Sequence, residues 1–449
     1  MFHFHLFTLT LRSGSSFHFD FGLLTYRSPK IQQTICLLTE NVLHLVNQLI
    51  ILPMRTIYEI SARSVEMVPV QNIRPQIEWL EQKERLICIK GSRGVGKTTL
   101  LLQFAKTRLQ GENFVYISLD NLFFTENRLL DFADDFSKNG GRYLLIDEVH
   151  HYPDWSHELK NIYDTIPDIK VIYTGSSLLH LTGGRADLSR RSVVHTLPGL
   201  SLREFIKFSE DIDFPAIGLE DIISKHPEIS KTIWTKIKPI KKYKEYIETG
   251  YFPFFLENKE NYRNKLLEVI NQVLESDLPF TAKISYSNIH KLKLLLYIIS
   301  ESAPFKPNIE KLSERTGISK NTLKDYLHYM NDALLIGLLY KKGKGISRLT
   351  KPEKIYLHHP NLMMAIQGSS VDTGNLRETF FFNQVSNNHK LNYTDKGDFL
   401  VDNRYVFEIG GKNKTTRQIS GITDSFLVLD NIETGNRKEI PLWLFGFLY

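Results

Sequence analysis

The stretch GSRGVGKTTL, residues 91–100, decides how the rest of the chain is read. It fits G-x-x-x-x-G-K-[ST], the Walker A pattern of a phosphate-binding loop. Upstream, RLICIK (85–90) is a short apolar run suited to a buried parallel strand. Downstream, KTTLLLQFAKTRL has helical spacing. Strand, loop and helix together are the context the motif needs. Gly91, Gly94 and Gly96 let backbone N–H groups wrap a phosphate without Cβ clashes. Lys97 is expected to reach the β- and γ-phosphates, and the Thr98 hydroxyl to ligate Mg²⁺. The helix N-terminus adds about half a positive charge. The expected nucleotide-binding segment is therefore Gly91, Ser92, Arg93, Gly94, Val95, Gly96, Lys97, Thr98 and Thr99.

A second constellation points to hydrolysis. RYLLIDEVHHYPDW (142–155) is an apolar strand ending in Asp147 and Glu148. An acid at the strand end holds Mg²⁺, and its neighbour can take the proton of an attacking water. Asp147 is expected as the metal partner of Thr98, and Glu148 as the general base. His150 and His151 follow at once. Neighbouring histidines on a turn are expected to point in different directions, which disfavours a metal pair, and Trp155 reads as a packing anchor.

Three more strands complete a parallel sheet. NFVYISLDN reads as a strand ending in Asp120, IKVIYTGSS as one ending in Thr174, Ser176 and Ser177, and SVVHTL as the fifth. Ligands in such sheets bind at the carboxyl ends of the strands. Thr174 is thereby expected to touch the γ-phosphate or the attacking water.

GSRGVGKTT, LLIDEVHHYPDW, KVIYTGSSLLHL and LPGLSLREF, in this order, resemble the AAA-type P-loop ATPases of prokaryotes. In that family an ATPase core precedes a winged helix and a C-terminal domain of unknown function, and its relatives include archaeal-type ATPases of the STAND-like branch. The resemblance runs from about Arg74 to the C-terminus. It implies ATP and Mg²⁺ as ligands. It also implies an arginine before the fifth strand that senses phosphate or serves as a finger. In LSRRSVV, Arg191 matches that arginine and Arg190 takes the usual Gly position, while Arg185 in TGGRAD competes for the role. The turn TGYFPFF (249–255) resembles the family's Gly-aromatic-Pro turn that closes a helical lid. The lysine run KIKPIKKYKEY, with Lys236, Lys238, Lys241, Lys242 and Lys244, reads as a solvated helix face.

Residues 307–345 have a helix-turn-helix pattern. Gly317 fits the turn and Ser319 an N-cap. Leu323, Leu327 and Met330 fall on a buried face. Lys320, Asn321, Lys324 and His328 fall largely on the other, where a recognition helix meets DNA. LLYKKGKGISRL reads as the wing. DNA contact and a spacer or docking role both fit.

The last segment has Glu378 opening a helix-like run, Asp398 in KGDFLVD and Glu408 in YVFEIGGKNK. Glu, Asp and Glu-x-Lys is the layout of a metal-dependent nuclease core. Gly410 stands where the lysine belongs, and Lys412 shares that strand face but lies ~6–7 Å further along than the motif demands. A degenerate, non-cleaving domain that binds a partner is the expectation.

The whole chain bounds these readings. Its 449 residues suit two or three domains. A net charge of +6 over that length excludes a polybasic nucleic-acid binder, though not a local basic face. Two cysteines, Cys36 and Cys88, exclude a disulfide framework and a four-cysteine zinc site, favouring a reducing cytosol. The apolar run LHLVNQLIILPM is broken by His44, Asn47 and Gln48 and is too short to span a bilayer, and no secretion signal is evident. Residues 1–53 lack a steady period and read as an irregular extension or an upstream start, with His3, His5 and His18 lacking acidic or cysteine partners.

The expected architecture is α/β. A parallel-sheet P-loop NTPase core (54–200) is followed by a helical lid (201–285) and a winged helix (286–355). A C-terminal restriction-endonuclease-like α/β domain (356–449) ends the chain. The expected function is a cytoplasmic ATPase, compatible with a homo-oligomer, with a DNA or protein partner at the last two domains. A slow nucleotide-gated switch and an ATP-gated nuclease are the alternatives.

Overall fold

The computed structural model describes residues 52–182, 188–343 and 351–449. The reading of residues 1–51, Arg185 and residues 344–349 of the wing lie outside the described residues.

The core is a five-stranded sheet of β1 (Leu86–Gly91), β2 (Phe114–Ser118), β3 (Tyr143–Asp147), β4 (Lys170–Ser176) and β5 (Val193–Thr196). Its order is β2-β3-β4-β1-β5, and every pairing is parallel. β1, β3 and β4 lie inside the sheet, and their apolar runs are buried because helices cover both faces. On one side helix α1 (Leu52–Met67) packs on β2 and on helix α2 (Lys97–Arg108). Helices α3 (Leu129–Lys138) and α4 (Trp155–Thr165) pack together over a second apolar cluster. Trp155 is buried there with its ring 6.0 Å from that of Tyr173, the anchor its sequence context predicts.

After the sheet, Ser201 begins helix α5 (Leu202–Glu210) with a capping box to Glu204. Helices α6 (Leu219–Trp234), α7 (Pro239–Thr249) and α8 (Tyr262–Gln272) follow. The lysines around α7 are mostly surface groups. Lys242 pairs with Glu210 and Glu245, and Lys236 lies 5.5 Å over the Phe214 ring. α8 widens into a π-turn, Val273–Asp277, before the short helix Leu278–Ala282. Pro279 supplies a cause: it lacks the N–H that would continue the α-helical ladder.

Three helices come next: α9 (Ile289–Ser302), α10 (Ile309–Thr316) and α11 (Lys320–Asp332). Gly317 caps α10 at φ 64°, and the Ser319 hydroxyl accepts the Thr322 N–H at the start of α11. Leu323, Leu327 and Met330 are buried, while Lys320, Asn321 and Lys324 are exposed. An antiparallel pair, β6 (Ile336–Leu339) and β7 (Lys354–Leu357), follows α11.

Helices α12 (Pro360–Gln367) and α13 (Thr373–Ser386) lead into a second sheet. Its strands are β8 (Leu391–Asn392), β9 (Phe399–Val401), β10 (Tyr405–Gly411), β11 (Ser425–Asp430) and β12 (Glu439–Pro441). The order is β12-β11-β10-β9-β8, parallel from β10 to β12 and antiparallel at β9 and β8. α13 begins at Thr373, capped by Asp372, so Glu378 sits within the helix rather than opening it. The segment Leu442–Phe447 is buried against α5, and the Tyr449 carbonyl accepts the Ser201 hydroxyl and the Arg203 Nε–H. One apolar cluster therefore runs from Val65 through α5–α8 to Tyr449.

Candidate functional site

β1 delivers the chain to Gly91, and α2 begins at Lys97, so residues 92–96 turn tightly between them. Gly94 and Gly96 sit at φ 84° and 95°, a region that side-chain-bearing residues rarely adopt. The loop has little room as well. A Cβ on Gly94 meets the Phe254 ring at 3.2 Å, and one on Gly91 meets the Leu197 carbonyl at 2.5 Å. The turn Phe252–Phe255 is thus seated on the loop, with Pro253 opposite Gly96. Lys97 is 5% exposed and donates to the carbonyls of Gly91 at 3.2 Å and Ser92 at 3.1 Å. Its ammonium is folded into the loop it belongs to.

Asp147 ends β3 level with Ser118 of β2, and three hydroxyls converge on it. Thr98 donates to Oδ2 at 2.6 Å, Tyr116 to the same oxygen at 3.1 Å, and Thr174 to Oδ1. Burial pushes the Asp147 carboxyl up from its ordinary range, while the Thr174 and Thr98 hydrogen bonds pull it down. Thr174 also accepts the Glu148 N–H at 3.1 Å and is 0% exposed. Thr174, expected to touch the γ-phosphate or the attacking water, here bonds the Asp147 carboxylate and the Glu148 N–H. Tyr116 was not legible as a site residue, since an aromatic in a strand reads as core.

Glu148 adopts φ 53°, in the left-handed region that side-chain-bearing residues rarely adopt. Its Oε2 lies 3.3 Å from His150 Nδ1. That is ion-pair distance without hydrogen-bond geometry, since both His150 ring nitrogens are buried without a hydrogen-bond partner. Burial lowers the His150 pKa to about 3, so its ring is neutral at pH 7. The His150 and His151 rings are 4.2 Å apart, and with Glu148 they offer ligand atoms within 4.8 Å of one another. The two histidines do not diverge as neighbours on an open turn would, because a 3-10 turn at Val149–His151 winds them together.

Arg93 reaches Asp277 of the π-turn at 3.4 Å. Arg191 goes elsewhere. It grips Asp164 at 2.8 and 2.9 Å from α4. Ile87 of β1 pairs with Val193, so Arg191 is level with Arg85, six residues and roughly 20 Å from Gly91. The chain does not bring Arg191 to its own phosphate loop.

Arg74 supports the loop from below. It donates to both carboxylate oxygens of Glu204 at 2.9 Å, to Pro198 O at 2.7 Å, to Gly199 O at 3.2 Å and to Val95 O at 3.4 Å. The PGLSLREF segment thus carries a glutamate that caps α5 and anchors the loop's back.

The C-terminal carboxylates also meet, around lysines the sequence did not single out. Lys354 of β7 contacts Glu378 at 2.8 Å and Asp398 at 3.4 Å, and Tyr356 donates to Glu378 at 3.1 Å. Burial pushes the Glu378 and Glu408 carboxyls up. Glu408, 1% exposed, pairs with Lys414 at 2.6 Å and takes the Gln418 amide. β10 ends at Gly411, so Lys412 lies beyond the strand and is exposed. Gly410 is the space in which Lys414 folds back: a Cβ there meets the Lys414 stem at 2.5 Å.

Thr98 and Asp147 offer hard oxygen donors 2.6 Å apart, the chemistry Mg²⁺ takes, and the loop offers a cation and a helix N-terminus to phosphate. Residues 83–206 match the family model described as AAA domain, and residues 240–373 match a domain of unknown function (DUF8612). The chain carries an AAA-type P-loop ATPase domain. Two relatives come from Methanocaldococcus jannaschii. Uncharacterized protein MJ1637 is 26% identical over 75% of this chain and 78% of its own. Uncharacterized protein MJ1544 is 26% identical over 74% and 73%. Among solved structures, C. elegans PCH-2 aligns over 61% of this chain and 67% of its own, with 18% identity and a TM-score of 0.22. AMPPCP-bound DnaA from Aquifex aeolicus aligns over 62% and 88%, with 15% identity and a TM-score of 0.23. Among the described residues no helix is long and apolar enough to cross a membrane.

Proposed function

We propose that the chain hydrolyses ATP with Mg²⁺ and uses the cycle to reposition its lid and following helices against a partner-binding C-terminal domain. The observation that carries this reading is the meeting of Thr98, Asp147 and Glu148 beside the Lys97 loop. Lys97 leaves the Gly91 and Ser92 carbonyls for the β- and γ-phosphates. Thr98 and Asp147 hold Mg²⁺, which supplies charge neutralisation at the phosphates. Glu148 swings from His150 and takes a proton from water. The water oxygen bonds to the γ-phosphorus, the bond to the β–γ bridging oxygen breaks, and its electron pair stays on ADP. Arg191, held at the entering end of β5 and away from the phosphate loop, serves a nucleotide only in a second copy of the chain. A DNA or protein partner belongs to the exposed face of α11 and to the C-terminal domain, whose paired carboxylates are read as non-cleaving.

A slow nucleotide-gated switch is the second reading. It is favoured by Lys97 and Glu148 each being turned onto protein groups. Phosphate release followed over many turnovers per chain separates the two. Linear release over tens of turnovers supports the engine, and a single event per chain supports the switch.

A further inference from the structure

Asp277 places a carboxylate beside the cationic end of the phosphate loop. Its side chain is 4% exposed and lies 3.4 Å from the Arg93 guanidinium, 184 positions earlier in the chain. A buried carboxylate costs much unless it is paired, and its guanidinium partner is itself a residue of the loop that receives phosphate. Asp277 is presented by the π-turn Val273–Asp277, a local widening often found where a helix does more than pack. The next turn, Leu278–Ala282, packs on the segment after β4 and on α11. α11 touches that same segment.

We infer that Arg93 is exchanged between Asp277 and the terminal phosphate of ATP. Asp277 then carries the arrival of that phosphate to the π-turn and α11. The inference rests on the ATPase reading above and adds two roles to it. A γ-phosphate brings more negative charge than Asp277 and draws the guanidinium as an Arg–phosphate pair. As the β–γ bond breaks, Arg93 faces charge on the γ-oxygens and stabilises it. Asp277, left without its cation in a closed space, is driven outward, and the π-turn moves with it. ADP lacks the γ-phosphate and leaves the Arg93–Asp277 pair closed.

The test measures ATP and ADP affinity by calorimetry, in Mg²⁺, for the full chain and for Asp277→Asn, Arg93→Ala and the double variant. Asp277→Asn is expected to tighten ATP about tenfold more than ADP, and the double variant to bind ATP as Arg93→Ala alone does. A merely structural role moves ATP and ADP together. A folded Asp277→Asn chain with the wild-type ATP-to-ADP ratio overturns the inference. Should that variant not fold, hydrogen exchange on the wild-type chain decides. Amides 273–282 are expected to exchange faster with ATPγS than with ADP, and equal exchange overturns the inference. A wild-type chain that binds no ATP removes the ATPase reading itself, whereas binding with an unchanged ratio or exchange removes only this exchange.

Discussion

Arg74 and Glu204, 130 positions apart, form a two-pronged ion pair with both contacts at 2.9 Å and both side chains almost wholly buried. The pair ties the back of the phosphate loop to α5. Glu204→Ala leaves a buried guanidinium without its anion and removes the carboxylate half of the α5 capping box, at a cost of about 3–5 kcal/mol. Chemical denaturation of the variant measures this directly. A loss under about 1 kcal/mol contradicts the structural role.

Thr174 is the residue that holds both acids in place. Thr174→Val keeps the volume but removes the hydroxyl that binds Asp147 and accepts the Glu148 N–H. Turnover is expected to fall about 10- to 100-fold, with a higher Mg²⁺ requirement, because a support of the metal ligand is gone. Turnover titrated against Mg²⁺ checks it, and a wild-type titration curve speaks against the role.

His359 makes stability fall in acid. It is 1% exposed, stacked 4.0 Å from the Tyr251 ring, and burial holds its pKa well below 6.5. The unfolded imidazole takes up a proton as pH falls through 6.5, and the folded one does not. Its stabilising contribution is therefore full above pH 6.5 and lost below it, at ~1.4 kcal/mol per pH unit. His359→Phe keeps the stack and removes that slope. Unfolding free energies at several pH values between 6.5 and 5 compare the two chains. Identical slopes refute the assignment.

The C-terminal cluster is expected not to cut nucleic acid. Lys354 sits between Glu378 and Asp398, and Lys414 and Gln418 cover Glu408, so the carboxylates already have partners. Supercoiled DNA and RNA incubated with the chain, ATP and Mg²⁺ or Mn²⁺ should stay intact. Nicking that disappears in Asp398→Ala and Glu408→Ala overturns this expectation.

The sheet was legible because each strand is a short apolar run closed by polar residues, from LICIKG to YTGS. The convergence of Lys97, Thr98, Asp147 and Glu148 at one end of the sheet was legible because the motifs set residue types at fixed spacing on successive strands. Partners supplied from a distance were not. Asp277 reaches Arg93 from 184 positions away, and Lys354 of β7 reaches Glu378 of α13. No local pattern encodes such meetings. Arg191 is a different case: its place before the fifth strand was legible, but a residue entering a parallel strand lies at the end away from the phosphate loop of its own chain. Lys412 was misplaced because β10 stops at Gly411, where period-2 alternation no longer holds.

The central claim is that the 91–99 loop and the Asp147–Glu148 pair form one hydrolytic site. The most direct measurement is ATP binding and phosphate release on the same preparations of wild type, Lys97→Ala and Glu148→Gln. Lys97→Ala is expected to lose binding, because the phosphates lose the loop's lysine. Glu148→Gln is expected to bind ATP with near wild-type affinity and release phosphate at least about 100-fold more slowly. Wild-type release from both variants contradicts the account.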